Sequence, residues 1–134
     1  MLTAEQNDEL TDLAPGTPMG GLLRRYWYPV AFTRELEEFP VRRTELLGEQ
    51  YAVFKTGRGN YGIVPEACPH RRASLAYGVA EADGIRCPYH GWLFGIDGTC
   101  LEQPAESPET NFRERVRVRA GRAEAVSYTH LTLP

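Results

Sequence analysis

The sequence predicts a mainly β chain, a small antiparallel sandwich or barrel entered through a short helical N-terminal lead-in. Three observations carry that expectation. Short runs of strand-forming residues recur between turn signals along most of the chain. Thirteen glycines and ten prolines leave little room for long elements. A length of 134 residues suffices for one domain and not for two ordinary ones. The apolar and charged fractions, 42% and 25%, are those of a globular chain rather than a disordered one.

Taken in order, Thr3 can cap a first helix, with Gln6 completing a capping box, and Pro15-Gly16 stops it. Thr17 and Pro18 supply a cap and a first-turn proline for a second helix. Met19, Leu22, Leu23 and Tyr26 then share a face at helical spacing, which predicts core packing. From Trp27 onward the pattern turns to strands. Val41–Leu47 and Gln50–Thr56 read as a pair across Gly48-Glu49, and the turn at 56–60 leads into Tyr61–Val64. Asp83-Gly84 marks another turn. Asp97-Gly98 sits where a hairpin turn belongs, between Trp92–Phe94 and Thr99–Leu101. Arg113, Arg115, Arg117 and Arg119 alternate with other residues, so a strand here would have one basic face. That face could dock an acidic partner; a solvated outer face is the reading adopted.

The domain boundaries follow: a lead-in at 1–26, a β domain at 27–124 and a tail at 125–134. The last ten residues, AVSYTHLTLP, do not continue the logic of the domain. They resemble a translated cloning or sequencing adapter, so the tail is expected to be non-native. A genuine final strand is the alternative, since Val126, Tyr128 and Thr129 have strand propensity.

A net charge of −3 offers no basis for nucleic-acid binding and no polybasic patch for a membrane. No apolar run has the length of a membrane span, and the acidic start, MLTAEQNDEL, is unlike a secretory or transit peptide. A cytoplasmic location is expected. Three cysteines, an odd number, then argue against a disulfide framework and for metal ligation or a free thiol.

The chemistry is concentrated in Cys68-Pro69-His70 and Cys87-Pro88-Tyr89-His90, two Cys/His pairs sixteen residues apart. Each pair lies in a Pro- or Gly-bearing loop at a strand end, where side chains can converge free of ladder constraints. Two thiolates on one iron and two imidazoles on the other make a [2Fe–2S] centre of mixed ligation. Its potential rises from about −400 mV to between about −150 and +300 mV. A Cys2His2 zinc site is permitted by the same donors. Zinc fingers usually group their cysteines and their histidines, however, whereas here each loop offers one of each. Cys100 stands apart and is expected to be a plain core or surface residue.

CPHRRASL and CPYHGW resemble the two cluster loops of Rieske proteins. The stretch from Met1 to about Arg119, with its lead-in GTPMGGLLRRYWYPVAF, resembles more of one branch. It is similar to the N-terminal part of Rieske non-haem iron aromatic-ring oxygenase large subunits of the phthalate 4,5-dioxygenase type. The resemblance implies a Rieske-type β-sandwich or barrel and a truncated fragment of such a subunit. It implies that Cys68 and Cys87 hold the inner iron, and His70 and His90 the outer one. It further implies a reductase or ferredoxin as electron donor and a homo-oligomeric, trimer-like parent. Electrons would pass to a mononuclear non-haem Fe(II) in a catalytic domain that is missing here. Only His70, His90 and His130 occur in the chain, too few to build a second, two-histidine iron site beside the cluster. Respiratory-chain Rieske proteins carry an extra cysteine in each loop; Arg72 and Tyr89 stand in that neighbourhood instead. Gly91 is expected to allow close backbone approach to the cluster and Trp92 to pack beneath it, while Arg71 is either an electrostatic tuner or a surface cation. A free-standing Rieske ferredoxin and a zinc-binding structural module are the alternative functions.

Overall fold

Two faces of one central strand organise the molecule, a computed structural model that describes residues 1–126 and 130–133. Strand β2 (Val41–Leu46) pairs antiparallel with β3 (Glu49–Lys55), and β3 with β4 (Tyr61–Pro65). Consecutive residues Ala52, Val53 and Phe54 are all fully buried, so β3 is covered on both sides. Alternation sends Ala52 and Phe54, with Val64, into the larger core and Val53, with Ile63, into a smaller one. Leu36 from the helix Thr33–Glu38 closes the smaller core. Burial of a side chain the size of Phe54 contributes roughly 1.5–3 kcal/mol. Gly62 makes room for it, because a Cβ there would meet the Phe54 ring at 2.4 Å.

The second sheet runs in the order β5 (Val79–Ala80), β6 (Gly84–Arg86), β7 (Leu93–Gly95) and β8 (Cys100–Glu102), every pair antiparallel. Ile85 and Phe94 from this sheet pack with Phe54 and Val64, giving the β-on-β core that the sequence predicts. The third sheet has the order β1 (Tyr28–Ala31), β10 (His130–Leu133) and β9 (Glu124–Val126). No helix among the described residues is long and apolar enough to cross a membrane.

The lead-in holds the two expected helices, α1 (Ala4–Thr11) with its Thr3/Gln6 capping box and α2 (Pro18–Leu23) capped by Thr17. Helix α3, Thr33–Glu38, is an addition to the sequence reading. Its start is marked by Glu35, whose carboxylate accepts from the Phe32 N–H.

Several expectations need correction. The apolar stripe of α2 is not a core face: Leu22 and Tyr26 are exposed, and the residue buried is Gly20. The helix ends at Leu23, before Tyr26, and a Cβ on Gly20 would meet the Ala14 carbonyl at 2.3 Å. Close backbone packing thus replaces side-chain packing there. The β2–β3 turn sits one residue earlier than expected, at Leu47-Gly48, both at positive φ (50° and 77°). That pairing of signs suits the right-handed twist of a two-residue hairpin. The alternating arginines form no strand face, because Arg113–Arg115 is a 3-10 turn. Arg113 donates to the Leu101 carbonyl and Arg117 pairs with Asp97.

Of the tail, Ala125 and Val126 belong to β9 and His130–Leu133 form β10, while 127–129 and 134 lie outside the described residues. An open edge accepts any segment of strand propensity, which accounts for the pairing with β1 whatever the segment's origin.

Candidate metal centre

The first loop leaves β4 and returns at the 3-10 turn Leu75–Tyr77. It closes on itself: the Cys68 N–H donates to the Ala73 carbonyl and the Arg72 N–H to the Cys68 carbonyl, each at 2.9 Å. Arg72 takes a left-handed φ of 61° to complete the reversal. At the base, Ser74 Oγ donates to Glu66 at 2.5 Å, and Arg43 Nε meets the other Glu66 oxygen at 2.9 Å. The Leu75 N–H donates to the Glu66 carbonyl at 2.7 Å, so one residue clamps both legs of the loop.

The second loop joins β6 to β7 and repeats the design. The Cys87 N–H donates to the Trp92 carbonyl at 2.8 Å, and the Gly91 N–H to the Cys87 carbonyl at 3.1 Å. Gly91 sits at φ 73°, which a side chain would strain. A Cβ there would meet the Pro104 ring at 3.4 Å, in ordinary contact, so the conformation rather than the space calls for glycine.

The two loops meet. Cys68 and Cys87 are 1% and 4% exposed, whereas His70 and His90 are half-buried. The imidazoles lie with ring centroids 4.6 Å apart, and Tyr89 leans on His90 at 3.8 Å. Burial pushes the Cys68 thiol up to about 11; N–H groups of His70 and Arg71 pull it back, and the neighbouring Cys87 raises it again. Loading a metal therefore has to displace a firmly held proton. Sulfurs sit inside and imidazoles outside, an order that suits a group with one buried and one peripheral metal. The donors also fit such a group in number. Among the described residues no three His, Cys, Asp or Glu side chains are placed to hold one ion. A two-iron cluster asks for only two protein donors per iron.

Of the remaining residues singled out in the sequence, Trp92 is buried and lies flat against His70, with Phe112 edge-on to its ring. Cys100 is a buried core residue whose thiol donates weakly to the Glu102 carbonyl at 3.5 Å, and burial raises its pKa. Arg71 is exposed. Two groups escaped sequence reasoning: the Glu66 clamp and Arg86. The Arg86 guanidinium joins Glu81, Glu102 and the Gly91 carbonyl. Its place directly before Cys87 is the one sequence signal it had.

Known proteins of similar sequence and fold point to one family. Residues 26–120 match the model of the Rieske [2Fe-2S] domain. The chain is 50% identical, over 123 residues, to the 5,5'-dehydrodivanillate O-demethylase oxygenase subunit of Sphingobium sp.. That match covers 90% of this chain and 29% of the relative. It is 42% identical to the phthalate 4,5-dioxygenase oxygenase subunit of Pseudomonas putida, over 87% of this chain and 27% of that one. Among solved structures it is similar to NdmA of Pseudomonas putida CBB5, at a TM-score of 0.74 and 30% identity. That likeness covers 84% of this chain and 35% of NdmA. Dicamba monooxygenase follows at a TM-score of 0.72 and 26% identity, with 84% of this chain and 35% of that one covered. The chain thus spans less than a third of the curated relatives' length. With the matched residues taking in both loops, the chain belongs to the Rieske [2Fe-2S] domain family.

Proposed function

We propose that this chain is the electron-transfer part of an oxygenase acting on small aromatic compounds, with Cys68, Cys87, His70 and His90 as the four cluster ligands. The observation that carries the reading is the layered arrangement of these donors: two thiols in the core and two imidazoles at the rim, one of each from either loop. When bound, a Rieske cluster accepts and releases one electron at a time. The protein's own part is to bury the thiolates away from oxidants, to hold the imidazoles by stacking, and to leave their outer edges open toward a partner. Family membership removes the ground for a zinc-binding structural module. The oxygenase reading is favoured over a free-standing ferredoxin because the similarity covers 90% of the chain and so reaches into the helical lead-in.

Electrons would come from a reductase or ferredoxin in the cytoplasm, where the thiols stay reduced until loaded. They would leave for a mononuclear non-haem iron in a catalytic domain outside this chain, in a homo-oligomeric, trimer-like parent. The substrates in the relatives' names, a phthalate and a dehydrodivanillate, set the class of compound expected.

The test is metal and sulfide analysis with EPR of the dithionite-reduced chain. Iron, acid-labile sulfide and the low-average-g signal of mixed Cys/His ligation are expected. Stoichiometric zinc in a colourless protein overturns the reading.

A further inference from the structure

We propose that Arg86 is a positioning residue of the cluster: it holds the second loop in register with the first. The inference rests on the cluster reading above. Arg86 ends β6 and directly precedes Cys87, yet its side chain turns back over the loop. Its guanidinium addresses three separate segments. Nε and Nη2 grip the two oxygens of Glu81, just after β5. Nη2 also reaches Glu102 at the end of β8, at 2.7 Å. Nη1 donates to the Gly91 carbonyl at 2.6 Å.

The last contact is the informative one. Gly91 is left-handed, so its carbonyl turns away from the strand direction and finds no partner in the β6–β7 ladder, which begins at the Arg86–Leu93 pair. Arg86 supplies the partner. The peptide so held joins Gly91 to Trp92, one residue past His90, and Trp92 is the ring on which His70 of the first loop stacks. One guanidinium thus restrains His90 of its own loop through the neighbouring Gly91, and His70 of the other loop through Trp92.

Charge does not account for the arrangement. Two carboxylates surround the one cation, so the group presents no net positive charge to the loops. A planar fork can serve acceptors in three directions; a lysine ammonium on its single nitrogen cannot span them. The contribution is therefore geometric, and Arg86→Lys should fail to replace it. Groups that orient ligands from behind typically change metal affinity by about 10–100-fold when removed.

The experiment compares wild type, Arg86→Lys, Arg86→Met and Arg58→Met. The last removes the same charge from an exposed pair with Asp83 that touches neither loop. Readouts are the EPR line shape of the loaded fraction and the rate at which the visible absorption bleaches in air below the melting range. Both Arg86 variants are expected to bleach about tenfold faster or more, with shifted and broadened g features, and Arg58→Met to match wild type. Wild-type line shape and bleaching rate in Arg86→Met overturn the proposal, as does a loss confined to melting temperature. Should Arg86→Met fail to fold, Arg86→Lys decides: a wild-type spectrum and lifetime there also overturn it. Absence of iron and sulfide from the wild type overturns the cluster reading and this inference with it, whereas differences among the variants bear on Arg86 alone.

Discussion

His70 and Trp92 lie face to face, ring centroids 4.5 Å apart and planes within 2°, although they come from different loops. The stack joins the two halves of the metal centre beside the contact of His70 with His90, and Trp92 is also buried against Phe94 and Phe112. Trp92→Ala is expected to remove both the packing and the platform for His70. Urea denaturation should show a loss of about 3–5 kcal/mol. Trp92→Phe should lose clearly less, because an aromatic face remains for His70 to stack on.

The three buried thiols should separate by chemistry. Cys87→Ser is expected to abolish the iron and sulfide content, since a hydroxyl is a poor substitute for a thiolate as an iron ligand. Cys100→Ser should retain full iron content, at a stability cost under about 2 kcal/mol, because the Glu102 carbonyl can accept the new hydroxyl. Iron loss in Cys100→Ser would place that residue among the ligands.

Two glycine substitutions should move stability in opposite directions. A Cβ on Gly84 would stand 2.0 Å from the Phe94 carbonyl oxygen, backbone that cannot turn aside. Gly84→Ala is expected to cost about 2–3 kcal/mol or to prevent β6–β7 pairing altogether. Gly21, inside α2, has nothing within 4 Å of an added Cβ. Gly21→Ala should stabilise the chain by roughly 0.5–1 kcal/mol through reduced unfolded-state freedom. Melting curves of both variants check the two signs.

Acid sensitivity should have an identifiable component in the lead-in. Arg24 donates to Glu49 at 2.7 Å, and this hydrogen bond is the main cause that lowers the Glu49 pKa from 4.5; burial opposes it. A carboxylate depressed in the folded state stabilises fully above its unfolded pKa and loses that contribution as pH falls through the folded value. Wild type should therefore exceed Glu49→Gln by about 1 kcal/mol at neutral pH, a modest figure because the carboxylate is partly exposed and screened. The gap should close progressively below pH 4.5. Glu81 and Asp97 are lowered too, but they are common to both proteins and cancel in the difference.

The C-terminal segment can be judged by truncation. We propose, from its sequence, that 125–134 is not native. Deleting it should then leave the melting temperature within about 2 °C, because a foreign strand adds little to a core it did not evolve with. A larger drop would identify β10 as a structural strand of this protein, paired with β1 as observed.

Local signals determined much of this protein. The two capped helices, the β2–β3–β4 meander and the Asp97-Gly98 turn were legible because each depends on neighbours in sequence: a side chain capping its own helix, a strand alternating, a glycine reversing the chain. The candidate ligands were legible for the same reason, since thiol and imidazole stand two or three residues apart in each loop. What the sequence left open was decided by contacts between distant segments. Leu22 and Tyr26 have the spacing of a core face but meet no core, and Arg113–Arg115 alternates like a strand yet coils into a 3-10 turn. Arg86 looks like any strand-end cation until folding brings Glu81, Glu102 and the Gly91 carbonyl around it. The stack of His70 on Trp92 likewise exists only once both loops arrive at one place. Periodicity and turn chemistry act over a few residues, whereas the acceptors a guanidinium finds, or the ring an imidazole lies on, depend on how the sheets pack.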